Sequence, residues 1–458
     1  MQSEFPAAVH WATCRSEMAA IDPQRTPMAT VPTAKLRIVS LRPRRQATTN
    51  TGDAITATSD VMMTVVVMTV STTPSLVADN RCCSMFPYVL FRKTRLWTGR
   101  STQNEHRALP NLAAVRAAAI TAYEQPLVVA EYPDPVAPPS GVVLEVEASG
   151  ICLSDWHAWK GHEDLPSLPH VPGHEMTGVV REVGSQVDRW RGGERVTVPF
   201  SVGCGLCSSC RAGHLNICDR GFTPGFSHWG SFAELVAIDH ADLNLVALPD
   251  TITSVNGAAL GCRFVTAFRA VVDRGGISEG DWLAVYGCGG VGLSAVMIGR
   301  ALGARVVAID LDPASLALAS DLGAEATVEG STDPARVVRE ITEGGASVSI
   351  DAVGVTATFL SSVDSVRKQG RHVQVGLLHG EHSAPALPMQ PVIMGEVAIL
   401  GSRGLPATDY PRVFRFIEDH GIDLSRLVTG TVALEDASGV LEHMGEFKGV
   451  GVTVIDRL

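Results

Sequence analysis

Four cysteines in one short, glycine-containing run have the spacing of a zinc site. Cys204, Cys207, Cys210 and Cys218 follow one another at intervals of three, three and eight residues in GCGLCSSCRAGHLNIC. Each Cys-x-x-Cys step brings two thiolates within the ~2.3 Å bonding distance of a common zinc ion. A disulfide pair is the alternative, but the chain lacks the small, stapled character of disulfide frameworks. The run therefore predicts a structural zinc with four thiolate ligands and no catalytic role.

Three further potential ligands lie in separate motifs and could form an open, catalytic zinc site. Cys152 lies in GICLSDWHAWKG, His174 in VPGHEMTG and Cys262 in LGCRFVTAF. Two cysteines and a histidine leave the fourth zinc position free for water or substrate. Their spacing in the sequence alone does not show that they bind one metal ion. Taken singly, Cys152 could be a small buried apolar residue, His174 a core histidine and Cys262 a packing residue.

A glycine-rich loop has the context of a dinucleotide-binding site. GCGGVG follows the predicted strand WLAVYG, opens the predicted helix GLSAVMIGRALGA and precedes an aspartate by eighteen residues. The first glycine of G-x-G-x-x-G allows a tight turn, the second lets a diphosphate approach, and the third permits close packing. The aspartate can accept hydrogen bonds from the ribose and repels a 2′-phosphate, which favours NAD over NADP; otherwise it is a solvated residue at a strand end. The candidate cofactor-binding residues are Gly287, Gly289, Gly290, Val291, Gly292 and Asp310.

Together these motifs resemble those of the zinc-dependent medium-chain alcohol dehydrogenases. The resemblance extends from near Val115 to Leu458 and rests on five motifs in family order. They are G-x-C-x-S-D-x-H, GHE, the four-cysteine loop, GCRFVTAF and GCGGVG. The resemblance implies that the Cys, His, Cys set holds a catalytic zinc and the four-cysteine loop a second one. One departure is Arg263, which places a bulky cation directly after a metal ligand.

The same resemblance assigns a proton relay to the first motif. Ser154 would take the proton of the alcohol, and His157 would receive it through the cofactor ribose. Alternation in an extended segment would point Ser154 to the same side as Cys152. An unperturbed histidine has a pKa of about 6.5, which suits proton release, although His157 could also be a surface histidine.

Two carboxylates beside the predicted ligands are also expected to act at the site. Asp155 would orient the ring of His174 from behind, or alternatively cap a turn. Glu175, directly after His174, would lie under the metal as it does in the family and could ligate it transiently. Both assignments come from the resemblance and from the chemistry of the residue types.

The implied activity is reversible hydride transfer from an alcohol to NAD, giving an aldehyde or ketone. Zinc lowers the pKa of the alcohol, and the nicotinamide accepts the hydride. Both zinc sites are intact, which favours simple primary or secondary alcohols as substrates. The alternatives are a sister zinc enzyme acting on a polyol, threonine or an aldehyde adduct, and more distantly a non-catalytic NAD-binding protein. The aromatic residues that could line an apolar pocket, or belong to the core, are Trp156, Trp159, Phe200 and Trp229.

The element pattern predicts an α/β chain in which a β-rich domain and a Rossmann domain position these residues. Short β segments dominate 116–263, as in a partly open barrel, and the family implies a GroES-like fold there. Strands then alternate with helices over 264–402, which indicates a doubly wound parallel sheet. Residues 403–458 should return to the first domain. The leading segment 1–115 has no sustained period, and we expect a disordered leader or an over-extended reading frame.

Charge is distributed unevenly along the chain. Residues 1–115 contain 13 Lys and Arg against 7 Asp and Glu, whereas the remainder contains 24 against 41, a net charge of −17. This acidic part argues against a nucleic acid or an anionic membrane as partner. The apolar run at 61–70 is too short to span a bilayer. Thiolates that must stay reduced predict a cytoplasmic protein, and the resemblance implies a homo-tetramer.

Overall fold

The computed structural model describes residues 114–331, 333–445 and 450–458. The apolar run at 61–70 and the predicted leader, apart from its last two residues, lie outside the described residues. Strand β1 begins at Ala114, two residues before the predicted domain start at 116. The domain limits themselves stay a proposal.

Strands and helices follow the predicted order along the chain. The strands are β1 (Ala114–Ala119), β2 (Val128–Pro133), β3 (Val142–Ile151), β4 (Glu175–Val183), β5 (Arg195–Thr197), β6 (Leu235–Ile238), β7 (Val246–Ala247), β8 (Trp282–Tyr286), β9 (Arg305–Asp310), β10 (Ala326–Glu329), β11 (Ala346–Asp351), β12 (Val366–Gln374), β13 (Ala398–Gly401), β14 (Val428–Ala433) and β15 (Val452–Arg457). The α-helices are α1 (Leu153–Trp159), α2 (Ser208–Arg211), α3 (Ala241–Asn244), α4 (Ser254–Ala259), α5 (Val265–Phe268), α6 (Gly290–Ala301), α7 (Pro313–Asp321), α8 (Pro334–Ile341), α9 (Thr356–Asp364), α10 (Met389–Gly395), α11 (Tyr410–Asp419) and α12 (Ala437–Met444). Short 3₁₀ or π turns cover Leu215–Ile217, Leu260–Phe264, Arg269–Gly275, Gly380–His382, Ala407–Asp409, Leu424–Leu427 and Leu434–Asp436.

The β-rich domain is built on a seven-stranded sheet in the order β14-β15-β3-β4-β5-β7, with β6 paired to β3. Strand β3 is apolar and almost continuously buried, because β4 and β6 pair with its two edges near its start and β15 takes over near its end. The C-terminal strands β14 and β15 therefore complete a sheet begun far earlier in the chain. Strands β1 and β2 form a separate antiparallel pair at the start of the domain. The GroES-like prediction is confirmed.

The second domain is a six-stranded parallel sheet in the order β10-β9-β8-β11-β12-β13. Its central strands β8 and β11 are apolar and buried, as expected when helices cover both faces of a sheet. The chain order reverses between these two strands, which creates a crevice at their carboxyl ends. The predicted Rossmann fold is confirmed, and this crevice is where a dinucleotide would bind.

One long apolar helical segment, Ser254–Gly275, joins the two domains and carries Cys262. By length and composition it is the one described helix that could cross a membrane, with a mean hydropathy of 1.2. However, 72% of its most apolar window is buried inside the fold. Its side chains Phe264 and Phe268 pack into the largest core cluster, beside helix α6. The segment is therefore the core helix of the domain junction.

Candidate active site and metal centres

The structure brings the three predicted catalytic ligands together. Cys152 lies at the start of α1, His174 directly before β4, and Cys262 in the π turn Leu260–Phe264. Their ligand atoms, together with a carboxylate oxygen of Glu175, all lie within 4.8 Å of one another. The side chains come from three separate segments, which explains why sequence spacing could not join them.

Asp155 organises this cluster from behind. It is fully buried, and its Oδ1 accepts hydrogen bonds from His174 Nδ1 and Gly173 N, both at 3.0 Å. Its Oδ2 accepts from Cys152 N at 2.9 Å, which caps the first turn of α1. Asp155 thus makes the contacts of both alternatives, one to the histidine ring and one to the first turn of α1.

The donor set suits a bound metal ion. With Nδ1 of His174 hydrogen-bonded to a carboxylate, Nε2 is the free ring nitrogen, and it is buried without a partner in the described part of the chain. A hydrogen bond from Cys262 and the charge of Arg263 hold the pKa of the Cys152 thiol well below its usual range. Thiolate is the form of cysteine that binds metals. Two sulfurs and one imidazole nitrogen match an open zinc site with a vacant fourth position.

Glu175 and Arg263 form a buried ion pair against the cluster. Arg263 Nη2 lies 3.1 Å from Glu175 Oε2, and the two side chains are 6% and 0% exposed. Burial raises the pKa of Glu175 to about 7, and the charge of Arg263 opposes that rise. The arginine side chain also packs on Gly290, where a Cβ would clash with its Cδ. The packing of Arg263 thus requires glycine at position 290.

The predicted relay residues both line the cavity next to the cluster, but not for the reason expected. Ser154 belongs to helix α1, so the extended alternation predicted for Cys152 and Ser154 is wrong. The helix forms because Asp155 caps it. Burial, with the neighbouring His379 and His162, lowers the pKa of His157 to about 4, so the expected ordinary value is also wrong. His157 is therefore neutral at working pH and can hold a proton there only transiently.

A cavity of about 310 Å³ extends from the cluster between the two domains. Its wall includes Leu153, Phe200 and Phe226 from the β-rich domain and Leu377 from the Rossmann domain. Of the four aromatic residues considered for a pocket, only Phe200 lines it. Trp159 packs in the core, the other alternative considered for it, and Trp229 contacts a tyrosine edge-on near the surface. Trp156 packs against the same core cluster as Trp159.

The four-cysteine loop forms a second cluster away from the cavity. Ligand atoms of Cys204, Cys207, Cys210 and Cys218 lie within 4.8 Å of one another. Backbone N–H groups point at several of the sulfurs; Cys204 N, for example, donates to Cys218 Sγ at 3.3 Å. Such bonds from the residues after it lower the pKa of Cys204 to about 6. None of the cysteines in the described ranges forms a disulfide, and the donor set suits a closed zinc site.

The glycine-rich loop has the geometry of a dinucleotide turn. Gly287 has a φ of +91°, a backbone conformation that side-chain-bearing residues rarely adopt. A Cβ at Gly292 would overlap the carbonyl oxygen of Gly287, so the turn and helix α6 can pack closely only with glycine there. Open space lies over Gly289. Asp310 ends β9, and its Oδ2 accepts from Cys288 N at 2.6 Å, so the carboxylate supports this loop directly.

Several cavity residues were not found from the sequence. Glu163, His379 and Arg403 also line the cavity. Each lies on a loop outside the recognised motifs, and only folding brings them to one wall. Arg403 lies over the ring of Phe200 at 5.3 Å from its centroid, and its Nη1 donates to Asn216 O and Ser201 Oγ.

Comparison with known proteins agrees with this architecture. The family model described as "Alcohol dehydrogenase GroES-like domain" matches residues 138–250, and "Zinc-binding dehydrogenase" matches residues 290–419. An alcohol dehydrogenase of Geobacillus stearothermophilus is 31% identical over 348 residues, covering 75% of this chain and 100% of the relative. A D-arabitol-phosphate dehydrogenase of Enterococcus avium is 33% identical over 326 residues, covering 70% of this chain and 91% of the relative.

A solved structure shows the same fold. The zinc-binding dehydrogenase from Sinorhizobium meliloti 1021 bound to NADP superposes with a TM-score of 0.67. It is 27% identical, and the match covers 75% of this chain and 99% of that one.

Proposed function

This chain belongs to the zinc-dependent medium-chain alcohol dehydrogenase family, and we propose that it oxidises primary or secondary alcohols to aldehydes or ketones, reversibly, with NAD. One observation carries the proposal. The Cys152, His174 and Cys262 side chains line the same cavity as Val291 at the start of α6. A metal-held alcohol and a nicotinamide would therefore meet in one enclosed space.

Different residues of the chain would bind the metal ions, orient a ligand and line the cavity. We assign Cys152, His174 and Cys262 as ligands of a catalytic zinc and the four-cysteine loop as the holder of a structural zinc. A bound zinc ion in an open site supplies a Lewis acid that lowers the pKa of an alcohol. Asp155 fixes the His174 ring, and Leu153 and Phe200 give the cavity an apolar wall.

Proton removal falls to two residues on α1. Ser154 and His157 both line the cavity, on successive turns of one helix. The serine hydroxyl can accept the substrate proton and donate its own onward, and the neutral imidazole of His157 can carry it towards solvent. No direct hydrogen bond joins the two side chains among the described residues, so the relay needs the cofactor ribose between them.

The proposal is tested by the absorbance of NADH in zinc-loaded protein. Primary, secondary and aromatic alcohols and polyols are offered with NAD and with NADP. We expect NADH formation with simple alcohols and the reverse reaction with the matching aldehydes or ketones. Absence of turnover in both directions, with both zinc ions bound, would refute the alcohol dehydrogenase assignment.

NAD preference is proposed from Asp310. Replacing it with glycine removes the negative charge that would face a 2′-phosphate, so we expect the ratio of kcat/KM for NAD over that for NADP to fall. The readout is that ratio together with the Kd of each reduced cofactor by fluorescence. Because Asp310 also supports the loop through Cys288 N, a common loss for both cofactors is expected in addition. An unchanged ratio would contradict the role.

A second candidate is a substrate that carries an anionic group, such as a phosphorylated polyol. The guanidinium of Arg403 is fixed at the cavity wall by Asn216 O and Ser201 Oγ, and neither partner neutralises its charge. One relative is a D-arabitol-phosphate dehydrogenase. The Arg403 charge thus provides a ready contact for phosphate or carboxylate.

Arg403→Met distinguishes the two candidates. If the substrate is anionic, KM for a phosphorylated polyol should rise by about ten- to a hundredfold, the cost of losing a charged hydrogen bond. Rates with neutral alcohols should change little. Equal effects on charged and neutral substrates would remove the anionic candidate.

We also propose a cytoplasmic homo-tetramer. Strand β13 ends the Rossmann sheet, and Ile399 on it and Ile393 and Met394 on the preceding helix expose their side chains. Pairing of β13 with a second copy would cover this edge. Light scattering at the mass of a monomer would contradict the assembly.

A further inference from the structure

Arg263 is buried directly beside the metal cluster and is only 5% exposed. Charged side chains are rarely buried this deeply unless they are paired. Its Nη2 lies 3.1 Å from Glu175 Oε2 and also donates to the carbonyl oxygen of Ile151. One guanidinium therefore joins three segments of chain.

Each of these segments carries one candidate metal ligand. Ile151 immediately precedes Cys152, and Glu175 immediately follows His174. Arg263 itself comes directly after the third ligand. The arginine thus fixes the ligand-bearing segments to one another next to the place where a metal ion would bind.

Glu175 is a potential competitor for that metal ion. One of its oxygens lies within 4.8 Å of the three ligand atoms, and carboxylate oxygen is an accepted zinc ligand. Oε1 accepts from Cys262 N at 3.0 Å, whereas Oε2 has no hydrogen-bond partner among the described residues and lies 3.1 Å from Arg263 Nη2. The ion pair with Arg263 is therefore the contact that competes with the metal for Oε2.

We propose that Arg263 is a positioning residue that holds Glu175 away from the catalytic metal and so keeps the substrate position open. This inference rests on the proposed function, because it requires a metal ion at the Cys152, His174, Cys262 cluster. Without the arginine, a buried carboxylate would lose its partner, which is strongly unfavourable. Turning towards the metal would relieve that charge and fill the fourth position.

Cobalt substitution tests this inference without relying on turnover. The visible spectrum of cobalt(II) depends on its coordination geometry. Wild type is compared with Arg263→Met, Glu175→Gln and the double variant, all with the four-cysteine loop unchanged. Arg336→Met removes an exposed arginine that pairs with Glu340 on α8 and is the matched control.

The expected results differ for each variant. Arg263→Met should alter the cobalt spectrum, because the Glu175 carboxylate would take the fourth coordination position. The double variant should return to the wild-type spectrum, because a neutral amide needs no cation to hold it. Arg336→Met should match wild type, whereas Glu175→Gln alone leaves Arg263 buried without a carboxylate and is compared only with the double variant. NADH binding measured by fluorescence shows that each protein is folded.

Two results would overturn the inference. One is an Arg263→Met protein with the wild-type cobalt spectrum. The other is an altered spectrum in the double variant, since with both charges removed the change would make Glu175 itself a ligand in the wild type; this result decides the matter even if Arg263→Met alone does not fold. A wild-type chain that binds metal only in the four-cysteine loop would instead refute the proposed function.

Discussion

Replacing Cys262 with serine should reduce turnover to background while NADH still binds. We propose Cys262 as one of the two sulfur ligands of the open cluster, and a serine hydroxyl is a much weaker ligand for zinc. The glycine-rich loop and Asp310 lie on other elements, so the nucleotide site should persist. Turnover is followed by NADH absorbance, NADH binding by fluorescence and metal content by mass spectrometry.

The four-cysteine loop provides the internal control for the Cys262→Ser experiment. Its ligands are separate from the cavity, so metal content should fall from two zinc ions per chain to one. Wild-type activity in a protein with both zinc ions would show that Cys262 is not a catalytic ligand. Loss of both zinc ions together with NADH binding would indicate global unfolding, and His174→Gln would then be measured in its place.

Replacing Asp155 with alanine should weaken both metal binding and the fold. This carboxylate accepts three hydrogen bonds, from Cys152 N, Gly173 N and His174 Nδ1, in a fully buried place. Removing it leaves these donors without an acceptor. Each buried donor that finds no water lowers the free energy of unfolding by about 1–3 kcal/mol. Loss of the partner of a metal-binding histidine typically lowers metal affinity by about 10- to 100-fold. Zinc competition and thermal unfolding measure the two effects.

Asp155→Asn separates geometry from charge in this prediction. The amide keeps the shape but has only one acceptor oxygen. It can therefore accept the hydrogen bond from Cys152 N or those from Gly173 N and His174 Nδ1, but not both sets. We expect an affinity between those of wild type and Asp155→Ala. Asp239→Ala is the matched control, because Asp239 also accepts from a side chain and a backbone N–H but lies outside the cavity wall. Wild-type zinc affinity in Asp155→Ala would contradict the positioning role.

Features encoded over short stretches could be predicted from the sequence. The four-cysteine loop, the glycine-rich turn with Asp310, and the change from a β-rich to an alternating pattern all lie within local segments. Helix α1 was missed because its first turn depends on the Asp155 cap, and an extended segment was expected instead. The spacing of residues along the chain predicts turns and loops. The ends of helices depend on capping contacts, which spacing alone does not show.

Long-range contacts explain what the sequence could not predict. Arg263 reaches a carbonyl oxygen 112 residues earlier, and Glu175 meets the backbone of Cys262 across 87 residues. Burial lowers the pKa of His157 most, and the charge of His379, a residue of the Rossmann domain, lowers it further. The metal ligands could be predicted from the resemblance to a family. The buried charges around them could be identified only from the folded structure.

The most direct test measures zinc content and turnover together while a chelator removes the metal. Aliquots treated for increasing times with EDTA or dipicolinate are assayed by mass spectrometry for zinc and by absorbance for NADH formation from an alcohol. We predict that activity falls in proportion to one of the two zinc ions per chain and returns when zinc is added back. Full activity in metal-free, folded protein would contradict a zinc-dependent dehydrogenase.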